Sequence, residues 1–338
     1  MNLRNEPAKA EKMRDKQRGA QKVLVVQLGA SAAFVKSLGA AAAIRAHHLG
    51  APITLLTTDA VRGLAEHCPY FDVVEMDGRP TEPAAIASLV ARIRSAKYDI
   101  IYDLEGSART GRYFQGLRPW PPHWSGPTAG ARLASPLEDV TTLHAYDRYA
   151  RQLAIAGVPF AEPLHADLTW LRRVLRDPPR LQPDFFGVRS AYVLLAPRGD
   201  ETGWSAQKYG QLGRNLVRQG LTPVLIGGAG ARTVGSEAVK TEPLAKNLVA
   251  RLDLAQTIAL AERATFVVGD DLELMDIAAA AGARCLVFLP EGADLERLLP
   301  RGPGGAAAFT ASPVSALPVE QIERQLRNYG VFQRAQTA

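Results

Sequence analysis

Short Val- and Leu-rich runs, spaced by stretches of helical periodicity, constrain this chain more than any other feature. Lys22–Leu28 reads KVLVVQL, a continuous apolar run of the kind found in strands buried on both faces. A helical stretch, Ser31–Leu49, follows and stops at Gly50, where glycine supplies the left-handed C-cap at no steric cost. The pattern continues with strand Ile53–Thr57, a short helix Ala60–Cys68, strand Phe71–Met76, helix Pro83–Lys97 and strand Asp99–Leu104. In the second of these helices Ile86, Leu89, Val90 and Ile93 fall on one face. Strands alternating with helices predict parallel βαβ units and a doubly wound sheet, so the fold class is α/β. Pro119–Pro127 (PWPPHWSGP) breaks the pattern and predicts a loop, and helix His144–Gly157 closes the first half.

The pattern then restarts. Residues 177–190 carry Pro178, Pro179, Pro183 and Gly187 with little periodicity and are the candidate linker. Beyond it come strand Tyr192–Ala196, helix Ala206–Gln219, strand Pro223–Ile226, helix Leu254–Arg263, strand Thr265–Val268, helix Leu274–Ala281, strand Cys285–Leu289 and helix Val319–Tyr329. A length of 338 residues accommodates two such domains. The expected organisation is a basic arm over 1–21, a first domain over 22–176, and a second over 191–338. Two halves of this kind are expected to face one cleft with the carboxyl ends of their strands, where open α/β sheets bind ligands.

Charge and cysteine content narrow the function classes. Net charge is +6, and residues 1–22 hold seven bases and three acids. That segment has no apolar h-region, so it reads as a mobile basic arm rather than a secretory signal. A solvated tail is the plain reading, and contact with an anionic membrane surface is the functional one. Aromatic content is 7% and no basic face is interleaved with aromatics, so nucleic acid is not an expected partner. Cys68 and Cys285 lie in apolar stretches and read as reduced core residues. No apolar run reaches the ~18 residues of a bilayer span. The expected location is cytoplasmic.

Five loops follow predicted strands and can carry chemistry. Gly29-Ala30-Ser31-Ala32-Ala33 opens a helix but is not the G-x-G-x-x-G dinucleotide fingerprint. Asp103 and Glu105 stand at a strand end two residues apart, which predicts side chains on the same side. Either serves as a general base or caps the following helix. Arg198 and Thr202, in the loop running to Trp204, have the chemistry to meet a diphosphate. Gly227 and Gly228 form a turn close to the same edge. Asp270 and Asp271 precede a helix, and either bind sugar hydroxyls through strong acceptor pairs or cap that helix. No His or Cys stands near them with ligand spacing, so no metal is expected.

Taken in order, these stretches resemble glycosyltransferase family 9, the ADP-heptose:lipopolysaccharide heptosyltransferases. The resemblance runs from Lys22 to about Pro300 through KVLVVQLGA, PITLLTT, CPYFDVVEMDG, KYDIIYDLEGSART, HAYDRYARQLAIAGV, GWSAQKYGQLGRNLVRQGLTPVLIGG and NLVARLDLAQTIALAERATFVVGDDLELMDIAAAAGARCLVF. It implies a GT-B fold, two Rossmann-like domains with the nucleotide-sugar held mainly by the C-terminal one. It implies inverting, metal-independent transfer from ADP-heptose, with no further cofactor. The implied acceptor is a lipid-linked core glycan, met at the inner face of the cytoplasmic membrane.

The resemblance also marks departures. The family's Gly-Asp pair, whose Asp is the proposed base, falls on Ala32 and Ala33, and alanine accepts no proton. The family's phosphate-facing Lys falls on Thr202. Its Asp-Thr-Gly-Pro-Met-His motif falls on Asp271-Leu272-Glu273-Leu274-Met275-Asp276, where only Asp271 and Met275 match. An added anion and a deleted cation both weaken diphosphate binding in a partly desolvated site. Three readings stay open: a glycosyltransferase with Glu105 or Asp103 as substitute base, Asp271 on the donor and Arg198 on the phosphates; a non-catalytic member that binds a sugar nucleotide or a partner transferase; and another GT-B chemistry such as sugar-nucleotide epimerisation.

Overall fold

The computed structural model describes residues 21–171 and 179–332. The basic arm, apart from residue 21, and residues 177–178 of the linker lie outside the described residues. Two parallel six-stranded sheets account for the fold. The first contains β1 (Val23–Val26), β2 (Ile53–Thr57), β3 (Val73–Met76), β4 (Ile100–Asp103), β5 (His123–Gly126) and β6 (Leu133–Ala134). Its helices are α1 (Ser31–His47), α2 (Pro83–Ser95), α3 (Ala108–Leu117) and α4 (Ala145–Ile155). The second sheet contains β7 (Tyr192–Ala196), β8 (Thr222–Leu225), β9 (Lys246–Asn247), β10 (Phe266–Gly269), β11 (Cys285–Pro290) and β12 (Ala306–Ala311). It is accompanied by α5 (Ala206–Arg218), α6 (Arg232–Thr241), α7 (Leu254–Arg263), α8 (Leu272–Ala280) and α9 (Val319–Asn328).

Strand order is β3-β2-β1-β4-β5-β6 in one sheet and β12-β11-β10-β7-β8-β9 in the other. Read from its own first strand, each is the 3-2-1-4-5-6 order of a doubly wound sheet. The expected α/β, doubly wound architecture is therefore what the chain adopts, twice. Order reverses between β1 and β4 and again between β7 and β10, so each sheet has one switch point at its carboxyl edge.

Strand burial explains why the apolar runs are continuous. Val193 and Leu195 of β7 enter one core with Phe266, Val268 and Phe288, while Tyr192, Leu194 and Ala196 enter another with Val267 and Val287. Side chains alternate at period two, and both faces are covered, so every position is apolar. In the first sheet Leu24, Val26, Leu56 and Ile101 share a core with Phe114 and Trp124. Each fully buried side chain of this size contributes about 1.5–3 kcal/mol relative to exposure. Cys68 and Cys285 are free and buried.

Several expectations need correction. Pro119–Pro127 is not wholly a loop: His123–Gly126 is β5, paired with both β4 and β6. The prolines flank those four residues rather than fall among them, so no ladder donor is lost, and Trp124 anchors the strand against Phe114 with ring centroids 5.4 Å apart. Ala60–Cys68 is a 3-10 turn (Asp59–Val61) followed by one helical turn (Arg62–Ala65). Helix α6 and strands β9 and β12 were not foreseen; their small residues and short lengths give weak periodicity.

Among the described residues, 21–29, 40–141 and 147–164 form one compact unit; 30–39, 142–146, 165–171 and 179–332 form the other.

Candidate functional site

In the first unit the β1/β4 switch point gathers polar groups at the carboxyl edge. Leu104 and Glu105 both donate their backbone N–H to Val26 O, at 3.0 and 3.2 Å. The Glu105 carboxylate turns back and accepts from Leu28 N at 3.2 Å through Oε2. Half-buried Glu105 is thereby fixed beside the turn that opens α1.

Asp103 takes a different place. β4 ends at Asp103, so strand alternation does not extend to Glu105. Asp103 is fully buried; its Oδ1 accepts from Gly106 N at 2.9 Å, while Oδ2 has no hydrogen-bond partner. Burial pushes its carboxyl up to about 6, with the Glu105 charge adding to the shift. Gly106 lies at φ +67°, and a Cβ there would sit 2.6 Å from Pro127, so glycine alone fits this turn. Neither carboxylate caps α3. Ser107 does, in a capping box with Thr110.

Three arginines bond backbone carbonyls at this corner, and sequence reasoning missed them. Arg148, 9% exposed, donates to the carbonyls of Leu104 and Glu105 at 3.1 and 3.3 Å. Arg79 donates to Leu28 O at 2.9 Å and Arg109 to Pro80 O at 3.0 Å. Asp77, buried at the end of β3, organises this corner: it accepts from Tyr113 OH at 2.7 Å and from Arg79 N at 2.9 Å, and Arg109 lies 3.8 Å away. Burial, foremost, pushes the Tyr113 hydroxyl up to about 12, so it acts as a donor at neutral pH. The three bases are scattered in sequence: Arg79 lies in the loop after β3, Arg109 in α3 and Arg148 in α4. The result is a carboxylate in a cationic frame, suited to an anionic ligand.

In the second unit the β7/β10 switch point is organised by Asp270. This buried carboxylate accepts from Arg198 N at 2.9 Å, Trp204 N at 2.6 Å and Tyr209 OH at 2.7 Å. It fixes both ends of the Arg198–Trp204 loop. Gly199, at φ +89°, lets that loop approach Ala231, whose backbone N would lie 2.7 Å from a Cβ. Asp200 sits at the loop centre, accepting from Thr202 Oγ1 at 2.6 Å and pairing with Arg198 Nε at 2.6 Å. The Thr202 hydroxyl, then the Arg198 charge, hold the Asp200 carboxyl below its usual range. Arg198 thus faces solvent already half-neutralised.

Asp271 caps α8 by accepting from Leu274 N at 3.2 Å. Burial, then the Glu273 and Asp270 charges, push its carboxyl up to about 6. Met275 is wholly buried in the core beneath. Asp276 pairs with Lys36, and both belong to the second unit. Gly227 packs against Ala231 and accepts from Ala250 N at 2.7 Å, whereas Gly228 borders open space. The acids of this edge are committed to loop and helix structure. Among the described residues no cluster of three or more His, Cys, Asp or Glu is arranged to hold a metal ion.

Residues 172–288 match the model of glycosyltransferase family 9 (heptosyltransferase). No curated protein matches the sequence. Among solved structures, the fold is similar to a glycosyl transferase family 9 protein from Veillonella parvula (16% identity, TM-score 0.72, 93% of this chain and 97% of that one). It is equally similar to E. coli ADP-heptose lps heptosyltransferase II (17% identity, TM-score 0.72, 93% and 99%). E. coli heptosyltransferase WaaC with ADP follows at 16% identity and TM-score 0.68, covering 91% and 99%. The fold is that of these GT-B heptosyltransferases.

Proposed function

We propose, for a chain whose residues 172–288 match the model of glycosyltransferase family 9, that it transfers a sugar from a nucleotide-sugar to an anionic surface-glycan acceptor. The observation that carries this reading is the family match itself. It falls on a sheet whose switch point presents the Arg198–Trp204 loop and the Asp270–Asp271 edge. ADP-heptose is the donor we favour, because the similar E. coli enzyme is described as an ADP-heptose lps heptosyltransferase. The second unit holds the donor. The first holds the acceptor, whose phosphate or carboxylate groups meet Arg79 and Arg109.

The chemistry proposed is inverting and independent of metal or other cofactor. The acceptor hydroxyl oxygen attacks the anomeric carbon as the bond to the diphosphate breaks. Its proton passes to Glu105, and the nucleoside diphosphate leaves with the bonding pair. Glu105 replaces an aspartate at the position of Ala33, which has no acceptor group. Asp103 is the poorer base, because it is wholly buried while Glu105 is half-exposed. We place the reaction at the cytoplasmic face of the inner membrane, with the protein bound peripherally. In support, no helix among the described residues is long and apolar enough to cross a membrane, and the amino edge of the first sheet is basic.

ADP release from ADP-heptose with a deacylated core acceptor tests the reading. Turnover that falls by about 10²–10⁴ in Glu105→Gln supports the assigned base. Donor binding without turnover would instead favour a non-catalytic sugar-nucleotide binder, to which the alanine at position 33 and the uncharged Thr202 point. Absence of donor binding would refute both.

A further inference from the structure

The last strand of the second sheet is β12, and its outer edge is open among the described residues. It pairs with β11 in continuous parallel register, from Cys285 with Ala306 to Pro290 with Ala311. Cys285 N donates to Gly305 O and Glu291 N to Ala311 O, both at 3.1 Å. That ladder turns the N–H and C=O of Ala307, Phe309 and Ala311 toward β11, and those of Ala306, Ala308 and Thr310 outward. Among the described residues none of the outward groups has a hydrogen-bond partner. The strand has no charge, no proline and no bulge, the devices that commonly blunt such an edge. The other sheet edges are blunted: β6 and β9 are two residues long, Lys246 lies on β9, and Glu75 of β3 pairs with Arg92.

We propose that this edge binds a second copy of the chain, β12 to β12 and antiparallel, about a twofold axis through Ala308 and perpendicular to the sheet. A twofold contact needs a surface that complements itself, and β12 does so in three ways. Its outward groups fall symmetrically about Ala308, so Ala306 faces Thr310, Ala308 faces its own equivalent, and each facing pair exchanges two backbone bonds. Between these pairs Phe309 faces Ala307, a large side chain beside a small one, on the face that packs against Phe266 and Phe288. Arg301 precedes the start of β12 and Glu291 lies beside its end. Antiparallel pairing brings start to end, so opposite rather than like charges approach. One strand a side is a small interface, so dimer and monomer exchange with concentration. None of these residues belongs to the candidate site, and the dimer stands or falls independently of sugar transfer.

Sedimentation equilibrium of the full chain over a wide range of concentration tests it, with amide hydrogen exchange in parallel. The expected result is a monomer–dimer equilibrium, with protection over residues 306–310 that rises with concentration. Ala308→Pro deletes the outward donor on the axis and no ladder donor to β11, and should weaken the dimer about tenfold or more at unchanged thermal midpoint. Register is read by charge. Ala306→Lys with Thr310→Lys sets like charges opposite each other and should yield monomer. Ala306→Glu with Thr310→Lys sets opposite charges together and should retain the dimer. Both double variants place charged side chains at the same two positions, so a difference between them reports pairing rather than folding. A monomer at every concentration overturns the proposal, as does a dimer indifferent to Ala308→Pro, or charged variants that behave alike. Association without added protection over 306–310 places the contact elsewhere and overturns it too.

Discussion

Asp103 and Asp270 are both buried carboxylates at a strand end, yet their surroundings differ. Asp270 has three donors on its two oxygens. Asp103 has one donor on Oδ1 and none on Oδ2. Hydrogen bonds to the charged form offset desolvation, and where they are few the neutral acid is favoured. This is why Asp103 is pushed up to about 6, against 3.8 in an unfolded chain. The native state therefore retains a proton that the unfolded state has released between those two values. Stability from this group is fully present below pH 3.8 and lost as pH rises through 6. Asp103→Asn keeps the oxygen that accepts from Gly106 and cannot ionise. Between pH 3.5 and pH 7 its unfolding free energy should gain on the wild type by on the order of 3 kcal/mol, at ~1.4 kcal/mol per pKa unit. Urea unfolding at a series of pH values reads this directly, and parallel curves for the two proteins would contradict it.

At the scale of elements, α3 depends on its first turn. Ser107 accepts from Thr110 N, and Thr110 accepts from Ser107 N. Ser107→Ala removes half of that reciprocal cap and should cost about 0.5–2 kcal/mol, read as a lower urea midpoint at unchanged slope. The sequence showed that a helix follows β4 but suggested Asp103 or Glu105 as its cap. Both lie too early, because the chain still has to pass the left-handed turn at Gly106. The same limit applies more widely. Long elements buried on both faces were legible: β2 and β7 run over Ile53–Thr57 and Tyr192–Ala196, the residues their apolar runs predict. Strand β5 was hidden by its flanking prolines, and β9 by being two residues long. Site groups near one strand end, such as Asp270 with Asp271, could be seen as a pair. Those assembled from distant segments could not: Arg79, Arg109 and Arg148 come from the loop after β3, from α3 and from α4.

Across the whole molecule, charge is distributed by strand direction. All strands of the first sheet run the same way, so their starts share one edge, opposite the carboxyl edge that bears Glu105. That edge carries Lys22, Arg45, Arg94, Lys97, Arg118 and Arg132, and Asp72 and Asp99 also lie there. Asp72 pairs with Arg45 at 2.6 Å, and Asp99 accepts from Lys22 N at 2.6 Å. Trp120, 89% exposed, lies in the turn before β5, two residues after Arg118. An exposed indole beside arginines suits the headgroup region, where Trp is enriched and each base is worth about 1 kcal/mol near anionic lipid. The segment ending at residue 20, basic in sequence, leads into the start of β1 on this edge. The full chain should therefore co-sediment with vesicles containing phosphatidylglycerol, release at high salt, and ignore neutral phosphatidylcholine. Trp120→Ser should weaken the binding severalfold at low salt while retaining its salt dependence, because it removes the apolar contact and keeps the charge. Equal binding to neutral vesicles, or none to anionic ones, would remove the membrane from the proposed setting and leave the sugar-transfer chemistry to be judged on the carboxyl edges alone.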